Sequence, residues 1–172
     1  MCLSTKSSCD TFVEVNRTFP LMIGLEFMRR PAKLREDILL EYDCIVKKYK
    51  TYHWNFDLYS FREFIQNPSH AIVITDIHQK IQWVNNGFVS MTGYQAIEAL
   101  DKTPKFLQGK ETRQDVRNQI RQSIAAQKTF SGEIINYRKN GEAYLCYVTI
   151  EPIFNRDNQL VNFIAFEEAI EV

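Results

Sequence analysis

No stretch of this sequence approaches the roughly 20 consecutive apolar residues that a bilayer-spanning helix needs. Its opening, MCLSTKSSCDTFVEV, also lacks the uninterrupted apolar core of a secretory leader. Together these absences predict a cytoplasmic chain with no membrane partner. Charge of one sign is missing as well: Lys+Arg and Asp+Glu number 21 each. No dense basic stripe stands ready to displace phosphate counterions, so nucleic acid is not an expected partner. The four cysteines, Cys2, Cys9, Cys44 and Cys146, are scattered, with no Cys-x-x-Cys pair and no nearby histidine cluster. That spacing argues against zinc, and without a secretion signal the thiols are read as reduced. His53, His70 and His78 make no ligand-like spacing and are read as surface or loop residues. Internal repeats and low-complexity segments are absent. So are a kinase signature, a phosphate-cradling glycine loop, a DNA-reading helix and a nucleophile–base pair, and no enzymatic activity is expected.

What is present is an ordinary globular composition over 172 residues, 45% hydrophobic and 13% aromatic. That is enough for one sizeable core plus an extension. The chain divides into an N-terminal extension, residues 1–55, and a compact region, residues 56–172. Within the extension, PAKLREDILLEYDCIVKKYK predicts a helix with Pro31 in its first turn. Leu34, Ile38, Tyr42, Ile45 and Tyr49 recur at three- and four-residue spacing. Lys47, Lys48 and Lys50 gather at its end, where they complement the helix dipole. A shorter helix is expected over SFREFIQ, where Ser60 and Glu63 have capping-box spacing and Pro68 limits continuation. FPLMIGLEFM, ahead of Pro31, reads equally as strand or helix.

From Ala71 the pattern changes. AIVITD and KIQWVN read as strands around a turn at DIHQ. NGFVSMTGY reads as a short helix closed by Gly93, AIEAL as another, and ETRQDVRNQIRQSIAAQ as a longer one with Val116, Ile120 and Ile124 on one face. Three strands follow: FSGEIINYR, AYLCYVTIEPI and LVNFIAFEE. The first two are joined through Asn140-Gly141, a strong hairpin signal. Strands, then helices, then strands predict an α+β fold with a predominantly antiparallel sheet.

In that order and spacing, VITD, GF…MTGY, KFLQG, NYRKNG and FIAFEE resemble a PAS domain over Ala71 to Glu168, and within that family its flavin-binding LOV (light-oxygen-voltage) branch. The resemblance implies a five-stranded antiparallel sheet with helices on one face, the N-terminal helical extension added to it. It also implies FMN as a possible cofactor, lodged by residues that match position by position. TPKFLQG is similar to the branch's N-C-R-F-L-Q-G, so Gln108 is kept while Thr103, Pro104 and Lys105 replace asparagine, cysteine and arginine. Lys105 would meet a phosphate as a point charge without arginine's fork. Arg121 matches the second phosphate-binding arginine, and Asn136 one of two asparagines on the flavin's pyrimidine edge. The other asparagine falls at Cys146. Thr75 matches a pocket-lining strand residue, and Glu167 stands where the branch has a glutamine facing the ring's N5 and O4.

The branch's photochemistry joins a cysteine sulfur to the flavin, and a proline at position 104 offers no nucleophile. Cys146, facing the pyrimidine edge by resemblance, is better read as a small thiol packed in a strand than as a replacement. Two readings stand for Glu167: a strand-end carboxylate in water, or a pocket group that as an ion can only accept hydrogen bonds and is costly to bury. Arg121 and Lys105 also read simply as solvated cations, and Asn136 as a partner of nearby backbone.

Alternation then sends Ile135, Tyr137, Leu145, Tyr147, Ile164 and Phe166 to the opposite face, an apolar patch that wants a cover. The amphipathic helix of the extension is expected to supply it, within or between subunits. No effector is expected after the last strand, so output is expected through a homodimer or a signalling protein in trans. The reading is therefore a sensory PAS/LOV-like module unable to form the cysteinyl adduct. Two alternatives are a flavin redox or light sensor working by electron transfer, with Trp83 and tyrosines as donors, and a ligand-free interaction scaffold.

Overall fold

Two hydrophobic clusters, one on each face of a single sheet, account for the architecture of the computed structural model, which describes residues 35–170. Contacts group the described residues as one compact unit. In chain order the elements are α1 (Glu36–Thr51), α2 (Leu58–Ile65), β1 (Ala71–Asp76), β2 (Ile81–Val84), α3 (Asn86–Thr92), α4 (Ala96–Ala99), a 3-10 turn (Pro104–Leu107), α5 (Gln114–Ala125), β3 (Phe130–Tyr137), β4 (Ala143–Phe154) and β5 (Leu160–Ile170). The strands pair antiparallel throughout, in the order β2-β1-β5-β4-β3. FPLMIGLEFM, Pro31 and Leu34 lie outside the described residues.

Period-two alternation decides which cluster each strand residue joins. Val73, Ile134, Cys146 and Val148 point to the inner face, where α3, α4, the 3-10 turn and α5 close over them with Phe88, Met91, Ala99, Leu107 and Ile120. Ile72, Ile74, Ile153 and Ile164 point outward and are buried with Ile38 and Ile45 of α1, Trp54, and Phe61 and Ile65 of α2. The α1 stripe is thus met within the chain, and α2 contributes as much of the cover as α1 does. Aromatic rings knit α1 to α2 and to the segment before it: Tyr42 lies 6.0 Å from Phe61, and Tyr49 meets Phe56 edge-on at 5.3 Å.

The backbone corrects both helix starts and bears out the hairpin and the end of α3. The first helix begins at Glu36, because Arg35 is extended and acts as its N-cap. Asp57, not Ser60, caps α2: its carboxylate accepts from Tyr59 N at 2.9 Å and from the Ser60 hydroxyl at 2.5 Å. The β3–β4 hairpin turns through Lys139–Gly141, with positive φ at Gly141 and not at Asn140, so a left-handed glycine closes a three-residue loop. Gly93, at φ 75°, ends α3 as read from sequence. Trp83 packs in the outer cluster, on the face away from α5.

The proposed apolar outer patch is also divided. Ile164 is fully buried, and Phe166 meets Phe64 of α2 edge-on at 5.1 Å, so both are covered from within the chain. Tyr137 turns over the edge of β3, where its hydroxyl accepts from Glu111 N at 2.9 Å. Ile135, Leu145 and Tyr147 belong to neither cluster, and Tyr147 remains 42% exposed. No helix among the described residues is long and apolar enough to cross a membrane.

Candidate functional site

Between the inner face and the α5–3-10-turn side the core leaves a cavity of about 310 Å³. Its sheet wall is Val73, Ile134, Val148, Ile150 and Ala165, faced by Leu107, Ile120 and Ile124. A helix three turns long can line such a wall only with residues at three- and four-residue spacing, and Ile120 and Ile124 have it. Small-molecule pockets run from about 300 to 1,000 Å³, so this one suits a compact body with part of the ligand reaching out.

Seven of the polar and substituted positions read from sequence meet here: Thr75, Pro104, Lys105, Gln108, Arg121, Asn136 and Glu167 all line the cavity. Thr75, Asn136 and Glu167 are buried, whereas Lys105 and Arg121 are exposed and mark the mouth. The backbones of Gln108 and Asn136 form an antiparallel bridge, which pins the segment after the 3-10 turn to edge strand β3. Pro104 is the first residue of that turn, where its fixed φ suits the geometry and its missing N–H costs nothing. Thr103 precedes it and accepts from Phe106 N at 3.1 Å through its carbonyl; it is not a wall residue.

Glu167 is not a strand-end carboxylate in bulk water: it is 5% exposed and lines the cavity, which decides between the two sequence readings. Its carboxyl accepts a long, weak hydrogen bond from Cys146 Sγ at 3.9 Å. Burial pushes its pKa up to about 7. Burial, and next the Glu167 charge, push both the Cys146 thiol and the Tyr144 phenol upward, so neither ionises near neutrality. Cys146 itself is fully buried, belongs to the inner cluster and stands behind Glu167 rather than on the cavity wall. Among the described residues no cysteine side chain lines the cavity.

Three polar lining residues escaped the sequence reading: Gln79, Gln114 and Arg117. Arg117 matters most. Its Nη2 donates to Gly109 O at 2.7 Å, while its Nε is buried without a partner. It precedes Arg121 by one helical turn, and that i, i+4 spacing is the signal that would have found it. Lys105, Arg117 and Arg121 therefore give the mouth three cations. The Gly109 carbonyl is held by a close approach: a Cβ there would lie 2.3 Å from the Tyr137 ring. Thr112 secures the same corner by donating its hydroxyl to Ile135 O at 2.5 Å.

Comparison with known proteins places this arrangement. The profile of the PAS domain matches residues 69–168, more than half of the chain. A blue-light photoreceptor of Listeria innocua serovar 6a is 37% identical over 103 residues, 58% of this chain and 40% of that protein. A nitrogen fixation regulatory protein of Klebsiella oxytoca is 28% identical over 112 residues, 65% of this chain and 23% of that protein. The chain thus spans less than half the length of these curated relatives. Among solved structures, the light state of the blue-light photoreceptor Aureochrome1 LOV superposes with a TM-score of 0.57 at 26% identity, covering 58% of this chain and 80% of that one.

Proposed function

Since this chain belongs to the PAS domain family, we propose that it is a sensory module of the LOV type that holds a flavin with a phosphate tail, forms no sulfur–flavin bond, and signals by association rather than by catalysis. The observation that carries this reading is the open cavity itself, apolar along its walls, hydrogen-bonding at its buried end and cationic at its mouth. A ligand-free scaffold would be expected to fill that space with side chains, since interiors pack like organic crystals.

The residues fit the group. Val73, Leu107, Ile134, Val148 and Ile150 would sandwich a planar ring. Asn136 would meet its polar edge, and Lys105, Arg117 and Arg121 would hold the phosphate, satisfying the orphaned Arg117 Nε. When bound, a flavin would supply light absorption and electron acceptance. Pro104 brings a ring to the wall where an adduct would need a thiolate. For output, the uncovered half of the outer face around Ile135, Leu145 and Tyr147 offers a docking surface for a second copy or a signalling protein.

Absorbance and mass spectrometry of the purified protein test the reading: a blue-absorbing flavin band and a released flavin mononucleotide are expected. Illumination should leave no reversible adduct in the native chain, whereas Pro104→Cys should gain one. A colourless preparation that refuses added flavin would favour the scaffold, and a native adduct would overturn the loss of sulfur chemistry. An electron-transfer variant of this function would need an aromatic donor near the ring, and Tyr144 packs in the inner cluster without lining the cavity. Trp83 supports it no better, being on the far side of the sheet.

A further inference from the structure

We propose that Glu167 gates the cavity by protonation: as a neutral acid it donates to a ligand edge carrying only lone pairs, such as the oxidised flavin ring, and as a carboxylate it rejects that edge. This rests on the flavin reading above and adds a regulation that the reading does not require. The geometry that carries it is a carboxyl 5% exposed, on the cavity wall, whose only described hydrogen-bond partner is a thiol 3.9 Å away. An S–H donor at that distance compensates little of the cost of burying a negative charge.

The chemistry follows from donors and acceptors. A glutamine at this place could turn its amide to donate or accept, at any pH. A carboxyl can donate only while it holds its proton. An edge made of an unprotonated ring nitrogen and a carbonyl oxygen offers nothing but lone pairs, so it is matched by the acid and repelled by the ion.

The surroundings leave Glu167 as the group that titrates. β4 brings Cys146 and Tyr144, both held protonated by burial. β1 brings Val73 and Thr75, which do not titrate. α5 contributes Arg117, engaged with Gly109 O, and Arg121, and the 3-10 turn contributes Lys105, all on the cavity wall. On β5 itself, Glu168 is exposed and stands 4.0 Å from His70 Nε2. Burial is the leading cause of the Glu167 shift, and its pKa of about 7 places the gate's midpoint near neutrality.

The full chain, stripped of ligand, is titrated with flavin mononucleotide from about pH 6 to about pH 9, a range spanning the shifted carboxyl, with quenching of flavin fluorescence as the readout. Native protein is expected to lose affinity by about tenfold per pH unit above the midpoint, because only the protonated form binds. Glu167→Gln is expected to bind with a flat profile above about pH 7, where the ligand's phosphate is fully ionised, and circular dichroism checks that it is folded. Parallel profiles for the two proteins would overturn the gate and leave the flavin reading standing. Binding by Glu167→Gln alone, at every pH, would also overturn it. Failure of both to bind flavin at any pH would overturn the flavin reading and the gate together.

Discussion

An acid and an amide of nearly equal shape differ at position 167 in that only the acid can give up its proton near neutral pH, and that proton is linked to folding. Because the folded carboxyl has its pKa raised to about 7 from a reference of 4.5, the folded state holds the proton more tightly. Its contribution is therefore complete below about pH 4.5 and is lost as pH rises through about 7. A shift of that size corresponds to on the order of 3 kcal/mol. Urea unfolding of the ligand-free native chain, compared with Glu167→Gln across this interval, should show that loss in the native chain only. Gly109→Ala is expected to destabilise by about 1–3 kcal/mol, since the new methyl meets the Tyr137 ring. It should also weaken flavin mononucleotide more than riboflavin, because the Arg117 anchor moves with it. The resemblance set Glu167 inward, and parity along β5 then put Ile164 and Phe166 on the opposite face. The burial of Glu167 was not legible, because that depends on what α5 and the 3-10 turn place over it. Arg117 stayed hidden although its i, i+4 relation to Arg121 was there to see, because only the packed helix shows that this turn reaches the cavity.

At the scale of elements, the turn from β2 into α3 depends on Asn85. Its side-chain oxygen accepts from Ile72 N at 2.8 Å and Phe88 N at 3.0 Å, and its amide donates to His70 O at 2.9 Å. One buried residue thus caps a helix and ties it to the first strand. Asn85→Ala should cost about 2–4 kcal/mol in chemical denaturation, the sum of a lost cap and stranded buried groups. Phe61→Ala, in α2, removes a fully buried ring that Tyr42 and Phe56 pack against. A loss of about 3–5 kcal/mol is expected, with flavin affinity unchanged, since the cavity lies on the other face. The strands were the most legible elements because β-branched alternation has few competing explanations. Helix starts were less so: Ser60-x-x-Glu63 fits a capping box, yet Asp57 reaches the free amides first. The 3-10 turn was missed because Pro104 was read for the atom it lacks rather than the dihedral it fixes.

For the whole molecule, the outer face separates into a covered half and an open half, and substitutions should sort accordingly. Phe166→Glu buries a charge under α2 and is expected to lower stability by about 3 kcal/mol or more. Tyr147→Glu, at a 42% exposed site, should leave stability within about 0.5 kcal/mol. Its effect belongs to assembly: light scattering should show a smaller species than the native chain gives. A native monomer, or a variant of unchanged mass, would remove the dimer from the output. The sequence showed that this face needed a cover. It could not show that α2 shares the task, because the packing partners of an eight-residue helix are set by the rings around it.

Phe166 and Glu167 are consecutive on β5, and the pleat sends one beneath α2 and the other toward the cavity. A single peptide plane therefore separates a residue that packs beneath α2 from one that lines the cavity. Any displacement of that plane would be shared by both faces of the sheet at once, with no helix standing between them.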